Sequence, residues 1–264
     1  MKSAAAGLLA VVGLAALVAG GCIKKRDRLP ATPFPKAKLA YRVGNCVYMD
    51  LNHAGEPDKG VCFGTAGEPM MVADYDANGT ADLGIRRGGT LFIDTKDDGD
   101  DHDSAVDLGW VGDAAGFLAA DFSGSAAHPG RASVCVIRGN RCHVQGPWRV
   151  PRPDRRLIPG EEYFAGRWNP EGTARLGART GRCVDLDDTG DDAPDRHLCY
   201  EYLGNIDQVL VGDWNGDGRD DLILRRGPCV FVDTRLDGTN TDTQCLPASQ
   251  PGTAEYFAGS WDGR

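Results

Sequence analysis

The sequence repeats itself with a period of about 46 residues, and this period constrains the fold more than any other feature. Similar segments begin at Val72, Leu118, Phe164, Leu210 and Phe257, so successive steps are 46, 46, 46 and 47 residues. Each full unit holds about four short alternating apolar runs separated by turns rich in Gly and Asp. Four strands in about 46 residues is the size of a β-propeller blade. No convincing helical periodicity follows the N-terminal segment, so an all-β chain is expected.

The two ends of the chain together supply one further unit. Residues 257–264 read as the start of a unit, and residues 38–71 read as its remainder, since KLAYRVGNCVYMD aligns with DLILRRGPCVFVD. The domain 38–264 is therefore predicted to be a five-bladed β-propeller, closed by pairing the C-terminal strand with the N-terminal blade. Closure removes exposed strand edges, whereas an open stack of repeats, the alternative, would leave them. The predicted blades are 257–264 with 38–71, 72–117, 118–163, 164–209 and 210–256.

Eight cysteines follow position 40 and fall into four pairs. Three pairs have a spacing of 16 residues, and in these the first cysteine starts the third strand of a blade and the second lies in the fourth. Disulfides within single blades are therefore expected, which suits an oxidising compartment. Zinc ligation lacks a CxxC or interleaved histidine pattern, and free thiols are the remaining alternative. The predicted pairs are Cys46 with Cys62, Cys135 with Cys142, Cys183 with Cys199, and Cys229 with Cys245.

Two loops place oxygen-bearing residues at alternate positions, as a hard cation such as Ca²⁺ requires. The first set is Asp213, Asn215, Asp217, the backbone carbonyl of Arg219, and Asp221; the second is Asp74, Asp76, Asn78, Thr80 and Asp82. Position 12, where an EF-hand carries Glu, is apolar in both loops, so an EF-hand is excluded. A metal-free turn stabilised by aspartate side chains is the alternative.

The corresponding loops of the other units have lost this pattern. Arg167 and Arg175 flank one of them and could replace a cation by internal ion pairs, while another carries Asp121, Ser123 and Ser125. A weaker series lies later in the units, at Asp185, Asp187 and Thr189 and in the acidic run 97–103, and is interpreted as solvated acidic loops. An aromatic side chain follows the first loop residue in every unit and is expected to pack between blades: Tyr75, Phe122, Trp168, Trp214 and Trp261.

The DxNxDGxxD loop followed by an apolar strand resembles the FG-GAP/VCBS family, whose calcium-loop repeats also occur in integrin α-chain propellers. The resemblance covers residues 38–264, although only the two loops above carry the full ligand set. It implies a β-propeller with two Ca²⁺ sites in its inter-strand loops, and often an extracellular binding role. It implies neither one ligand nor one reaction.

The N-terminus, MKSAAAGLLAVVGLAALVAGGC, resembles a bacterial lipoprotein signal with Val18 to Cys22 as the lipobox. That resemblance implies cleavage of residues 1–21, lipidation of Cys22, a tether over 22–37, and a location outside the cytoplasm on the bacterial cell membrane. An uncleaved membrane helix is the alternative, because about 20 apolar residues can span a bilayer.

The net charge limits the partners that this protein can have. Residues 38–264 contain 23 Lys and Arg against 37 Asp and Glu, a net charge of 23 − 37 = −14. Nucleic-acid binding is therefore disfavoured.

The sequence offers little support for catalysis, since HExxH, GxSxG and phosphate-binding glycine loops are absent. The five histidines do not recur at one repeat position. We expect a monomeric, non-catalytic, calcium-stabilised propeller that binds a protein or glycan partner. The alternatives are a carbohydrate-active enzyme on the same fold and a mainly structural envelope component.

Overall fold

A computed structural model describes residues 36–100, 103–109, 111–122, 131–145, 154–169, 173–246 and 254–262. Within these ranges the chain forms five four-stranded antiparallel sheets, each of which is one blade. Blade 1 contains β20 (Glu255–Gly259), β1 (Lys38–Val43), β2 (Cys46–Met49) and β3 (Lys59–Cys62). Blade 2 contains β4 (Met70–Ala73), β5 (Asp82–Arg87), β6 (Thr90–Asp94) and β7 (Ser104–Asp107).

The remaining blades follow in chain order. Blade 3 contains β8 (Gly116–Ala120), β9 (Ser133–Arg138), β10 (Arg141–Gln145) and β11 (Arg155–Arg156). Blade 4 contains β12 (Glu162–Gly166), β13 (Arg175–Thr180), β14 (Cys183–Leu186) and β15 (Arg196–Cys199). Blade 5 contains β16 (Gln208–Gly212), β17 (Asp221–Arg226), β18 (Cys229–Asp233) and β19 (Asp242–Cys245). A 3₁₀ helix, Glu201–Leu203, is the one helical element among the described residues.

The same two-residue hairpin joins the second and third strands of every blade. The first residue of each loop is a glycine with positive φ, which L-residues with side chains rarely adopt. A glycine at this place is typical of a type II′ turn, whose twist matches that of the flanking strands. The five glycines are Gly44 (67°), Gly88 (59°), Gly139 (56°), Gly181 (59°) and Gly227 (58°).

The two ends of the described chain meet in blade 1. Strand β20 pairs with β1 in antiparallel register, with Ala40 opposite Phe257 and Leu39 opposite Ala258. The five innermost strands, β4, β8, β12, β16 and β20, contact one another in a closed cycle. The predicted all-β, five-bladed propeller closed by its terminal strands is therefore confirmed.

A cycle of backbone hydrogen bonds joins each blade to the next. In every blade the residue before the second strand donates its amide to the carbonyl oxygen of the residue after the innermost strand of the preceding blade. The five bonds run from Ala37 to Asp213 (2.6 Å), Ala81 to Ser260 (2.6 Å), Ala132 to Asp74 (2.7 Å), Ala174 to Asp121 (2.8 Å) and Asp220 to Arg167 (2.9 Å). This bond is present at both interfaces of blade 1, with blade 5 and with blade 2. The closing blade is therefore joined to its neighbours in the same way as the other blades.

The apolar core consists of five clusters, each shared by two neighbouring blades. Val47 of blade 1 belongs to one cluster with Leu83 of blade 2, and Val184 of blade 4 belongs to another with Leu222 of blade 5. The aromatic series predicted to lie between blades does so. Its members belong to all five clusters and are 1–8% exposed: Tyr75, Phe122, Trp168, Trp214 and Trp261.

All four predicted disulfides are present. Cys46–Cys62, Cys183–Cys199 and Cys229–Cys245 each join directly opposed residues of the third and fourth strands of one blade. Cys135–Cys142 joins β9 to β10 diagonally, since Cys135 is opposite Val144. The sequence predicts these two cysteines directly opposite each other across the hairpin, and that register is wrong by two residues.

Candidate metal-binding loops and the central channel

The loop 213–221 folds around the carboxylate of Asp213. This carboxylate accepts backbone hydrogen bonds from Gly216 (2.7 Å), Asp217 (3.0 Å) and Gly218 (2.7 Å). At the other end of the loop, Asp221 accepts the amide of Trp214 at 2.8 Å. Gly218 has φ +88°, the left-handed conformation that lets the amides turn toward Asp213.

The loop 74–82 has the same arrangement. Asp74 accepts the amides of Ala77 (2.7 Å), Asn78 (3.2 Å) and Gly79 (2.9 Å), while Asp82 accepts the amide of Tyr75 at 2.7 Å. In both loops the seventh residue donates its amide to the fifth: Thr80 to Asn78 (2.6 Å) and Arg219 to Asp217 (2.9 Å). The two sequences therefore specify one backbone conformation.

The two loops differ in how closely their carboxylates approach one another. One carboxylate oxygen each from Asp74, Asp76 and Asp82 lies within 4.8 Å of the others. Among the described residues, Asp213, Asp217 and Asp221 do not converge to that distance. The donor set of both loops, carboxylates with an amide oxygen, is the kind that Ca²⁺ takes. The residues of both loops therefore fit this ion. Only in the 74–82 loop, of these two, do the carboxylate oxygens already converge.

Burial disfavours the ionised forms of the last aspartates in these loops. It raises the pKa of Asp82 to about 7, and the nearby carboxylates of Asp76 and Asp74 add to the effect against the opposing amide of Tyr75. Burial likewise raises the pKa of Asp221 to about 7, with Asp213 and Asp217 contributing. Both side chains belong to residues that are 1% exposed. A bound cation would relieve this destabilisation of the carboxylates.

Four more loops, which connect the third and fourth strands of a blade, share the same template. Each begins with an aspartate that is at most 1% exposed, namely Asp50, Asp94, Asp187 and Asp233. The fourth and sixth residues have positive φ in these loops as in the two above. The pairs are His53 and Gly55, Ala77 and Gly79, Asp97 and Gly99, Gly190 and Asp192, Gly216 and Gly218, and Leu236 and Gly238.

The interpretation of the later series as solvated acidic loops is wrong for Asp187, and Asp94, which precedes the acidic run 97–103, is buried as well. Asp94 and Asp187 are buried and accept their own loops' amides, as in Gly99 to Asp94 at 2.8 Å and Gly190 to Asp187 at 2.5 Å. The loop of blade 4 begins at Asp187, whereas Asp185 lies in β14. Reading the sequence from Asp187, two residues later, would have shown carboxylates at positions 1, 5 and 9. These three, Asp187, Asp191 and Asp195, converge within 4.8 Å, as do Asp94, Asp98 and Asp103.

Basic side chains occupy the third position of two loops in this later series. Lys96 contacts Asp103, and this ion pair lowers the pKa of the Asp103 carboxyl. Arg235 lies 3.3 Å from Asp237. In these two loops a positively charged side chain of the loop itself therefore pairs with one of its aspartates.

The expected internal ion pairs around Arg167 and Arg175 take a different form. Arg167 pairs with Asp220 of the next blade at 3.7 Å and donates its amide to the same carboxylate at 2.7 Å. Glu171, the acidic residue of that loop, lies outside the described residues, as do Ser123 and Ser125. Arg167 therefore stabilises an interface between blades.

Three of these loops, those that begin at Asp50, Asp94 and Asp233, also contact the preceding blade. Tyr200, before the 3₁₀ helix of blade 4, donates its hydroxyl to Asp233 of blade 5 at 2.9 Å. Gln244 of blade 5 donates to Asp50 of blade 1 at 2.5 Å, and Lys59 of blade 1 lies 2.8 Å from Asp97 of blade 2. The buried Asp50 and Asp233 and the partly buried Asp97 therefore have a structural role between blades.

The central channel widens into a cavity at each end. The larger, about 370 Å³, lies at the carboxyl ends of the innermost strands, next to the 74–82 and 213–221 loops. Alanines and glycines form most of its wall. The residue that follows each innermost strand lines its rim: Asp74, Asp121, Arg167, Asp213 and Ser260. The other cavity, about 250 Å³, lies at the amino ends of the same strands.

The described histidines do not gather at either cavity. His53 packs its ring against Trp214, and His143 lies 2.9 Å from Asp154. His197 of β15 lies beside the Cys183–Cys199 disulfide. His102 and His128 lie outside the described residues. Of the residues that the structure describes, those lining the larger cavity include no histidine and no aromatic side chain.

The predicted signal 1–21, the lipidated Cys22 and nearly all of the tether 22–37 lie outside the described residues. Within the part of the chain that the structure describes, none of the helical segments has the length and apolarity needed to cross a bilayer.

Comparisons with known proteins give likenesses of fold at low sequence identity. No protein family matches the chain, and no curated protein matches it. A solved protein of unknown function from Bacteroides caccae is 10% identical, with a TM-score of 0.46 over 85% of this chain and 98% of that one. An Agrocybe aegerita lectin, described as recognising non-reducing terminal N-acetylglucosamine, is 15% identical, with a TM-score of 0.43 over 80% of this chain.

BBS1N, in its complex with ARL6DN soaked with lead, is 13% identical with a TM-score of 0.39 over 72% of this chain. This chain spans 59% of the length of BBS1N and 65% of the length of the lectin.

Proposed function

We propose that the protein is an exported, lipid-anchored, non-catalytic binding module of the FG-GAP/VCBS type. Its binding site would be the larger cavity at the mouth of the channel, and its ligand a basic segment of a protein partner. The observation that carries this proposal is the make-up of that cavity, whose described lining residues include four acidic side chains and one guanidinium: Asp74, Asp121, Asp213 and Asp220, and Arg167.

The cavity suits a cationic side chain better than a sugar ring. An aromatic ring offers a sugar ring a flat apolar face to stack on. Among the described residues, none that lines this cavity is aromatic. The aromatic series of the repeat is buried between blades instead. Because small side chains form the wall, the cavity has a volume of about 370 Å³, which accommodates a Lys or Arg side chain. The net charge of −14 over residues 38–264 would steer a basic partner toward it.

The second part of the proposal is that Ca²⁺ binds in the 74–82 and 213–221 loops. Support comes from the convergent oxygens of Asp74, Asp76 and Asp82 and from the burial of Asp82 and Asp221. The ion would hold the loops that border the channel mouth in one conformation. Three ligand carboxylates per loop against a charge of +2 leave each ion site with a negative charge, so the rim would still attract a cation.

Binding of synthetic peptides to the purified full-length protein tests the first part. A lysine- and arginine-containing peptide should bind in a salt-dependent manner, and an acidic peptide of equal length should not. Asp121→Asn should weaken this binding, while Glu255→Gln, at the opposite cavity, should leave it unchanged. Binding of neutral glycans with equal affinity for both variants would contradict the proposal.

Export and anchoring are tested separately. Cys22→Ser should move the protein from the membrane fraction to the soluble extracytoplasmic fraction, and incorporation of labelled palmitate should disappear. Retention of Cys22→Ser in the membrane would favour an uncleaved membrane helix.

A further inference from the structure

We propose that Cys183–Cys199 is a reactive disulfide that exchanges with small thiols, activated by the neighbouring pair of His197 and Asp185. His197 Nε2 lies 3.2 Å from the Sγ of Cys199, and His197 Nδ1 lies 2.7 Å from Asp185 Oδ1. The sulfurs of Cys183 and Cys199 and the imidazole lie within 4.8 Å of one another. The three groups thus form a carboxylate–imidazole–sulfur relay.

The strand register creates this arrangement. Cys183 is opposite Cys199 across β14 and β15, and two residues along the same face Asp185 is opposite His197. Directly opposed side chains in antiparallel strands are close enough to interact. Asp185 therefore holds the imidazole ring with its second nitrogen toward the disulfide.

The proposed reaction is thiol–disulfide exchange, whose rate depends on how readily one cysteine leaves as a thiolate. An external thiolate attacks the Sγ of Cys183, the bond between Cys183 and Cys199 breaks, and Cys199 leaves with the electron pair as a thiolate. Cys183 then carries a mixed disulfide with the external thiol. A thiolate leaves faster when its conjugate acid is stronger, and a neighbouring imidazolium stabilises it. His197, when protonated, donates its Nε2 proton to the Cys199 thiolate.

The chain contains two matched controls in the same register. Cys46–Cys62 has Tyr48 opposite Gly60 where blade 4 has Asp185 and His197, and Cys229–Cys245 has Phe231 opposite Thr243. Neither has an imidazole or another cationic side chain at this place.

Solvent access would favour those two bridges. Cys62 and Cys245 are exposed to solvent, whereas Cys183 and Cys199 are both half-buried and therefore less accessible. Exposure alone therefore predicts the reverse order of reaction from the one that we propose. Cys135 and Cys142 are fully buried and should react last.

The test measures the opening of each disulfide in the oxidised full-length protein exposed to reduced glutathione at neutral pH. Samples are quenched by alkylation at intervals, and each cysteine is quantified by peptide mass spectrometry. Cys183–Cys199 should open at least about threefold faster than both matched disulfides, since leaving-group acidity controls the rate. His197→Gln should abolish that advantage, and Asp185→Asn should reduce it, without changing the other two rates.

A gain-of-function variant completes the experiment. Phe231→Asp combined with Thr243→His places the same pair beside Cys229–Cys245 and should accelerate its opening. Near-ultraviolet circular dichroism verifies that each variant keeps the native fold, and opening is compared only under native conditions. An order that follows exposure, or an unchanged Cys183–Cys199 rate in His197→Gln, would overturn the proposal.

Discussion

A Cβ atom placed on Gly259 would lie 2.7 Å from the Cβ of Ala81, so the backbone of the closing strand packs closely against Ala81 at the interface between blades 1 and 2. Ala81 also donates its amide to the carbonyl oxygen of Ser260 at 2.6 Å. Closure of the ring therefore depends on a residue without a side chain at the end of β20. Gly212 has the same relation to Ala37 at 2.6 Å, on the other side of blade 1.

Replacing Gly259 by Ala tests the closing seam. Because overpacking forces neighbouring backbone apart, we expect the free energy of unfolding to fall by about 1–3 kcal/mol. Gly116→Ala is the matched control on the innermost strand of blade 3, where the nearest atom lies at an ordinary 3.4 Å. Chemical denaturation of both variants measures the difference. Equal stability of the two would show that β20 does not close the ring as described.

Much of this architecture could be predicted from the repeat, because period and strand number follow from local sequence. The pairing of Ala40 with Phe257 was accessible for the same reason, since each terminal fragment aligned with part of a complete unit. That six loops share one backbone conformation could be predicted from the sequence only in part. Loops such as 233–241 place Arg at position 3, and their common backbone conformation depends on burial of Asp233 against the preceding blade. Such contacts join residues from different repeats, so they cannot be predicted from the sequence of one loop alone.

Removal of divalent metal should destabilise the protein. If Ca²⁺ binds the folded state alone, a concentration of 100 times its Kd adds about 2.7 kcal/mol per site. We therefore expect a chelator to lower the Tm and Ca²⁺ to restore it. Asp217→Ala should remove most of this response from the 213–221 loop, and Asp76→Asn should remove it from the 74–82 loop. Glu201→Gln, at an exposed ion pair, is the control and should respond as the native protein does. An unchanged Tm on adding chelator would contradict calcium binding.

The pH dependence of stability should have an unusual sign in metal-free protein. Asp82 and Asp221 have pKa values raised to about 7 in the folded state, whereas an aspartate in an unfolded chain ionises near pH 4. Between these values the folded state binds more protons, so the free energy of unfolding should fall as pH rises from about 4 to 7 and then level off. Denaturation at several pH values in chelator measures this slope. The double variant Asp82→Asn and Asp221→Asn should flatten it; a slope that the double variant keeps would assign the effect to other groups.

The hydrogen bond from Tyr200 to Asp233 should contribute to the interface between blades 4 and 5. Tyr200 is fully buried, and its hydroxyl lies 2.9 Å from the carboxylate. Tyr200→Phe should lower the free energy of unfolding by about 1.5–3 kcal/mol, because the acceptor is charged and buried. Tyr202→Phe, two residues later and 50% exposed, should change it little. Combining Tyr200→Phe with Asp233→Asn in a double-mutant cycle isolates the coupling, and a coupling near zero would show that the two side chains do not interact.

The equivalent tryptophans of blades 4 and 5 should respond differently to the same substitution. Trp214 donates its indole N–H to Asp242 at 2.9 Å, whereas the indole nitrogen of the buried Trp168 has no hydrogen-bond partner among the described residues. Replacement by Phe costs packing area at both positions. At Trp214 it also breaks a charge-assisted hydrogen bond, while at Trp168 it removes an unsatisfied buried donor. Trp214→Phe should therefore be more destabilising than Trp168→Phe by at least about 1 kcal/mol in chemical denaturation. The opposite order would mean that Trp168 has a polar partner in solution, such as a buried water molecule.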